Sequence, residues 1–355
     1  MATYDYKHVK NIALLGHAGC GKTTLAECML FDAGITKRRG SIAAKNTVSD
    51  YHELETERES SVFASLLHTT WKDYKINIID TPGYDDFAGE VISALRVADT
   101  GVIVLNAAMG VEVGTDITWE YTNTFKTPTI FVVNQLDNAD ADFERTLADA
   151  KAHFGPNVVA VQYPVQTGSG FNCIVDVLNM VMYKYGPDGG KPEKVQIPDA
   201  EKPRAEQLHK ELIETIASND ENLMEKYFDQ GELTEEEMKA GLHESMIRHD
   251  IFPLFCASAE KNMGIGRIMS FIDYVCPAAY EMPAQKTKAG AELPCDVKGP
   301  ACIFIFKTII EPHIGELSLF KVFSGSIKGG SELINENTGT TEKINQLFLL
   351  EGHNR

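Results

Sequence analysis

Short apolar runs at residues 12–15, 76–79, 102–105 and 130–133 alternate with stretches of helical periodicity along the first 137 residues. Runs of this length, spaced by helical patterns of about 10–15 residues, predict βαβ units around a buried parallel sheet. A further run at 251–256, followed by a helical pattern at 266–275, completes the same sheet after a detour over roughly residues 157–250. Within the detour Leu208, Leu212 and Ile216 recur at helical spacing, as do Met238, Leu242 and Met246. Thr234 and Glu237 have the spacing of a capping box ahead of the second series. The detour therefore reads as an inserted, largely helical subdomain.

From residue 286 the texture changes. Residues 286–300 are rich in Gly, Pro and Lys, as linkers are, and β-type runs follow at 302–306, 317–323, 331–334 and 343–349. Gly315, Gly325, Gly329, Gly330 and Gly339 punctuate them. The pattern predicts a doubly wound α/β domain over 1–285 and the start of an antiparallel β domain over 286–355, with no evident stop at the final Gly-His-Asn-Arg.

Composition adds limits. A chain of 355 residues with 43% hydrophobic content has room for two to three packed domains. No apolar run approaches the roughly 18 residues of a membrane span, and the N-terminus lacks the apolar core of a signal peptide, which predicts a cytoplasmic protein. Seven cysteines without a C-x-x-C pair indicate neither a disulfide framework nor a zinc site. The net charge of -18 argues against a phosphate-tracking surface over the whole chain. Residues 201–250 hold 14 Asp or Glu against 6 Lys or Arg, which makes the insert a solvated acidic face or a partner surface.

Chemistry enters at the ends of the predicted strands. Gly16, His17, Ala18, Gly19, Cys20, Gly21, Lys22 and Thr23 fit G-x-x-x-x-G-K-[ST], directly after the first strand and followed by Thr24. Such a P-loop wraps phosphates with backbone N–H groups and a helix N-terminus, sends its lysine to the outer phosphates, and offers the threonine hydroxyl to Mg²⁺. Asp80, Thr81, Pro82 and Gly83 form D-x-x-G after the second run: the carboxylate can hold Mg²⁺ through water, and the Gly83 N–H can meet a γ-phosphate. Asn134, Gln135, Leu136 and Asp137 form N-x-x-D, whose aspartate can accept from guanine N1 and N2, a pair adenine does not offer. Ser258 and Ala259 follow the last run, where a backbone N–H can face guanine O6. The four motifs in this order predict a binder of GTP or GDP with Mg²⁺. An ATP-using P-loop kinase would lack a guanine reader, and Asp137 speaks against it.

With these motifs in place the sequence resembles the translational GTPases, elongation factor G most closely. Residues 80–87 (DTPGYDDF) look like that family's switch II, 155–185 like the start of its inserted subdomain, and 315–325 (GELSLFKVFSG) like the opening of its β-barrel second domain. The resemblance implies a P-loop GTPase domain followed by an incomplete β-barrel, a monomeric fragment of a longer protein. It also implies the ribosome as partner, through rRNA and the stalk proteins that the acidic insert would meet. Ser61 takes the place of the switch I threonine that completes Mg²⁺ coordination beside Thr23 and Asp80.

Departures from the family gather at the γ-phosphate. Tyr84 stands where a histidine orients the attacking water, and a phenol is longer and differently shaped. Gly19 replaces an aspartate and Ala18 a larger aliphatic residue, while Glu59 and Ser60 replace glycine and isoleucine. Gln135 replaces a lysine whose stem lies across the base, where the amide can still stack. Lys22, Gly83 and Tyr84 would therefore form a catalytic set in which binding is better preserved than hydrolysis. Translocation, ribosomal protection, ribosome recycling and GTP-gated binding without turnover all share this front end.

Overall fold

The computed structural model describes residues 4–287, 290–311 and 315–352. Strand β1 (Val9–Leu15) leads into α1 (Lys22–Asp32), and α2 (Glu53–Arg58) precedes β2 (Ser65–Trp71) and β3 (Tyr74–Asp80). There follow α3 (Ala88–Leu95), β4 (Thr100–Asn106), α4 (Val113–Phe125), β5 (Thr129–Asn134), α5 (Phe143–Phe154) and β6 (Val158–Ala160). The insert contributes β7 (Gln162–Pro164), β8 (Cys173–Asp176), β9 (Val181–Lys184), β10 (Glu193–Val195), α6 (Lys202–Ala217), α7 (Glu221–Gln230) and α8 (Glu235–Ile247). The chain returns through β11 (Phe252–Cys256) and α9 (Ile265–Tyr274).

The main sheet runs β2-β3-β1-β4-β5-β11-β6, and all its pairings are parallel except that of β2 with β3. Its central strands carry apolar residues at nearly every position because helices cover both faces. Every residue of β5 is buried, and β4 is buried up to its last residue. β2 escapes a reading based on apolar runs because it alternates, with Leu67 and Thr69 buried and their neighbours half-buried, as suits an outer antiparallel strand. The parallel strands end at residues 15, 80, 106, 134 and 256, so the loops that carry the four motifs share the carboxyl edge of one sheet. Strand order reverses around β1, which puts the P-loop at the switch point where ligands of such sheets bind.

Two expectations are corrected. The detour is not largely helical from its beginning. It opens with β6, which belongs to the main sheet, and then with the four-stranded antiparallel sheet β10-β9-β8-β7. Strands of three or four residues are too short to display a period of two. The helices start at Lys202, and there Leu212, Ile216, Met238, Leu242 and Met246 are buried and Thr234 caps α8 together with Glu237.

The second correction concerns 343–349. Past the short β12 (Gln285–Lys286) and β13 (Glu292–Leu293), the ribbon of β14 (Cys302–Glu311) and β15 (Gly315–Ser324) precedes β16 (Glu332–Asn335) and β17 (Thr340–Lys343). β17 thus ends where the predicted strand begins. Residues 344–350 form no strand, and the segment instead reaches β2. There Gly352 N donates to Leu66 O at 3.0 Å and Glu351 pairs with His68 at 2.7 Å. Residues 288–289 of the predicted linker and 353–355 at the end of the chain lie outside the described residues. Among the described residues no helix is long and apolar enough to cross a membrane.

The ribbon is tied to the preceding α/β part of the chain by two largely sequestered lysines. Lys307 Nζ meets Glu90 Oε2 at 2.5 Å and the Ala64 carbonyl at 3.0 Å, while Lys321 Nζ meets Asp99 Oδ1 at 2.5 Å and the Val97 carbonyl at 2.8 Å.

On α9, Asp273 is 1% exposed, and neither carboxylate oxygen accepts a hydrogen bond from a described residue. Burial pushes its pKa up to about 7, with Lys72 and Lys10 opposing. The folded state therefore holds the proton more tightly than the unfolded chain. The stability this confers is present at acid pH and lost as pH rises through about 7. Asp273→Asn should raise stability at pH 8 by about 1–2 kcal/mol and flatten the pH dependence between roughly 4 and 8; denaturant unfolding at several pH values checks it, and an unchanged slope counts against it.

Candidate functional site

The P-loop leaves β1 and closes on α1, whose first residue is Lys22. Its Nζ folds back to donate to the carbonyls of Gly16 and His17, both at 2.9 Å, so the ammonium already sits within the loop's own curve. Switch II lies directly on this loop. A side chain at Gly83 would come within 2.6 Å of Ala18 N and 2.5 Å of Lys22 Nζ, which leaves room for glycine alone. Thr81 fixes the base of the segment by donating to the Leu14 carbonyl at 2.6 Å. On the far side His17 turns toward α4: Gly114 N donates to its Nδ1 at 3.2 Å, and Glu112 lies 3.6 Å from its Nε2.

The three residues assigned to metal by sequence are brought together. Thr23 Oγ1 donates to Asp80 Oδ2 at 2.8 Å and lies 3.2 Å from Ser61 Oγ. Asp80 is 1% exposed, its Oδ1 has no partner among the described residues, and burial holds its pKa above the usual carboxylate range, with the Thr23 hydroxyl and the Lys22 charge opposing. Thr24 stands next in α1, half-buried.

Sequence reasoning missed three acidic residues around this trio. Asp50 is 6% exposed with its Oδ2 unpartnered among the described residues. Burial and the neighbouring Asp80 charge push its pKa up to about 7, and the Ser61 hydroxyl beside it offsets them in part. Glu55 is fully buried and accepts from Val62 N at 2.9 Å and Phe63 N at 3.0 Å, which pins the chain immediately after Ser61. Glu27 on α1 accepts from Gly40 N at 3.0 Å and Val48 N at 2.5 Å, closing the loop between them. Only Glu55 left a local signal, the three-residue spacing from His52, whose N–H it accepts.

Buried oxygens lacking donors, beside two hydroxyls, are the chemistry of a hard cation. Mg²⁺ takes one or two carboxylates and completes its shell with waters and substrate phosphates, so the residues fit the ion. Among the described residues no group of three or more His, Cys, Asp and Glu is arranged for a metal, which is consistent with a site that borrows phosphate oxygens.

At the other end of the edge, Asn134 joins three loops. Its Nδ2 donates to the Cys20 carbonyl and its Oδ1 accepts from Ala259 N, both at 2.9 Å. A side chain at Gly21 would strike the same amide, at 2.4 Å. Asp137 Oδ1 accepts from the fully buried Ser258 hydroxyl at 2.6 Å, and Ser258 Oγ accepts in turn from Lys261 N at 3.1 Å. Two details differ from the sequence reading. Gln135 does not lie free to stack: its backbone is left-handed (φ 62°) and its Nε2 donates to the Gly19 carbonyl at 2.8 Å. The N–H groups of Ser258 and Ala259, the segment expected to offer a donor to guanine O6, are taken by the Met263 carbonyl and by Asn134.

The residues that depart from the translational GTPases sit at the open end. Gly19 and Glu59 are exposed, and Ala18 and Ser60 half-buried. Tyr84 is 46% exposed, heads the short turn Asp85–Phe87, and its hydroxyl makes no hydrogen bond to a described residue.

The elongation factor Tu GTP-binding domain family matches residues 7–278. Among solved structures, the crystal structure of a protein of Thermus thermophilus is 28% identical to this chain and superposes with a TM-score of 0.87 over 98% of it. The match takes in 50% of the Thermus chain, so the present chain spans about half the length of that protein.

Asp80 costs the ligand-free fold stability and is the carboxylate placed to stabilise the metal. Asp80→Asn should therefore raise the melting temperature without nucleotide, while the Mg²⁺-dependent gain in GDP affinity falls by roughly 10- to 100-fold. Thermal unfolding and nucleotide titration with and without Mg²⁺ separate the two effects. A lower melting temperature, or full retention of the Mg²⁺ effect, contradicts the assignment.

Proposed function

The chain belongs to the elongation factor Tu GTP-binding domain family, and from that membership we propose that it is a guanine-nucleotide switch of elongation factor G type, acting on the ribosome in translocation with slow GTP hydrolysis. The observation that carries the reading is a contrast within one site. The Thr23, Asp80 and Ser61 network and the Asn134 and Asp137 network are fully built, whereas Tyr84 stands exposed and unbonded at the water-orienting position.

In this reading Lys22 and the N–H groups of residues 17–23 neutralise the phosphates, and the Gly83 N–H meets the outermost one. Thr23, Ser61, Asp80 and Asp50 would hold Mg²⁺. The ion would neutralise charge developing on the bridging oxygens. Asp137 accepts from the guanine N1 and N2 hydrogens, and Ser258 fixes its orientation. Cleavage also requires a group that holds water in line with the phosphorus. Tyr84 is nearly half exposed, and the trimmed side chains of Ala18, Gly19 and Ser60 build no apolar wall to press it inward. Turnover is accordingly slow, and the γ-phosphate serves chiefly to order the switch segments through Gly83 and Ser61.

The exposed Tyr84 equally favours a second reading, a GTP-gated ribosome binder with no useful turnover. The acidic insert is the face offered to a ribosomal stalk protein in either case.

Phosphate release by the full-length protein at saturating ribosomes separates the two. Slow but ribosome-stimulated release is expected, and Tyr84→His should raise it by roughly 10²-fold or more by supplying an imidazole at that position. Stimulation absent in both proteins, with GTP-sensitive ribosome binding retained, selects the binder. Rapid release by the unsubstituted protein overturns the assignment of Tyr84.

A further inference from the structure

We infer that Arg39, in the switch I segment and away from all four sequence motifs, sets the selectivity of the guanine site at the 6-position of the base. The inference rests on the guanine-nucleotide reading above and identifies what aims its second reader.

The loop after β11 is held by bonds from several elements. Ala259 N–H is taken by Asn134, and Lys261 N–H by the Ser258 hydroxyl. The carbonyls of Ala259 and Glu260 both accept from Arg39 Nη1, each at 2.8 Å, and the Ala259 carbonyl also accepts from the Cys28 thiol at 3.0 Å and, within the loop's own turn, from Asn262 N at 3.1 Å. The remaining donor is the N–H of Glu260, which has no hydrogen-bond partner among the described residues. A trans peptide is planar, so the Glu260 N–H points opposite to the Ala259 carbonyl. The turn bond from Asn262 N sets that carbonyl roughly, and Arg39 and Cys28, by holding it from outside the loop, aim the Glu260 N–H to the other side. A guanine held at its N1 and N2 edge by Asp137 presents its 6-oxo group to this loop. Glu260 N–H, rather than the occupied Ala259 N–H, is the donor that meets it.

Arg39 suits the task because a guanidinium presents donors in a fixed fork and remains charged. Its own position is set by the next residue: Gly40 N donates to Glu27 Oε2 at 3.0 Å, and a side chain at Gly40 would come within 2.6 Å of that oxygen. Glu27 and Cys28 are adjacent on α1, so one turn of helix supports the arginine and its target together. Asn262 Nδ2 closes the far side of the loop on Asp32 Oδ1 at 2.6 Å.

The test measures affinities of the chain for GDP, 6-thio-GDP and IDP. The thio analogue alters only the 6-position, and IDP lacks only the 2-amino group that Asp137 reads. The unsubstituted chain should prefer GDP over both. In Arg39→Gln the preference over 6-thio-GDP should shrink by roughly 3- to 10-fold, while the preference over IDP stays unchanged. Arg39→Lys should recover part of the lost preference, and Cys28→Val, which keeps the packing and loses the donor, should shift it less and in the same direction. A loss of affinity common to all three nucleotides would reduce Arg39 to a structural role and overturn the inference, as would an unaltered 6-thio-GDP preference. An unsubstituted chain that ignores the 6-position yet prefers GDP over IDP also overturns it and leaves the guanine reading standing, whereas indifference to both analogues removes that reading itself.

Discussion

One side chain makes the carboxyl edge of the sheet into a single site. Asn134 is buried at the end of β5, and its amide joins the P-loop carbonyl of Cys20 to the backbone N–H of Ala259. A buried amide has few ways to satisfy both ends, and an unpaired end would cost about 1–3 kcal/mol. The bond therefore fixes the spacing between the phosphate loop and the base loop, two segments far apart in the chain. Asp137 and Gln135, on either side of Leu136, inherit their positions from it.

The phosphate end obeys a different constraint, the cost of buried negative charge. Asp80, Asp50, Glu55 and Glu27 lie within one short region of α1, β3 and the intervening loop, all nearly excluded from water. Glu55 and Glu27 are compensated by backbone N–H groups and hold the loop in shape. Asp80 and Asp50 each keep an oxygen with no donor among the described residues, and their raised pKa values mean that a proton or a bound cation has to offset the buried charge. The same polypeptide segment is thus partly self-sufficient and partly dependent on its ligand, a division expected of an element that changes with nucleotide state.

The main sheet and its four loops were legible because fully buried parallel strands leave continuous apolar runs, and because P-loop chemistry constrains residue types at fixed spacing. The start of the insert was not, since β7 to β10 are too short for a period and their pairing depends on neighbours distant in sequence. Asp50 and Arg39 lie in a polar stretch with neither periodicity nor motif, and their roles follow from where residues 36–52 are laid across the molecule. The orientation of Tyr84 was likewise beyond reach. Its identity departs from the translational GTPase pattern, but only the structure shows that it is nearly half exposed.

Lys307 gives the contact between the β14–β15 ribbon and the main sheet a further property. Its ammonium is largely withdrawn from water and answers at once to the backbone just after Ser61 and to Glu90 of the helix that follows switch II. A sequestered ion pair adds little net stability but penalises steeply any geometry that parts it. The angle between the β14–β15 ribbon and the main sheet should therefore behave as a detent rather than a hinge with free play, resting at one setting while the ends of both switches stay in register with each other and released when either one moves.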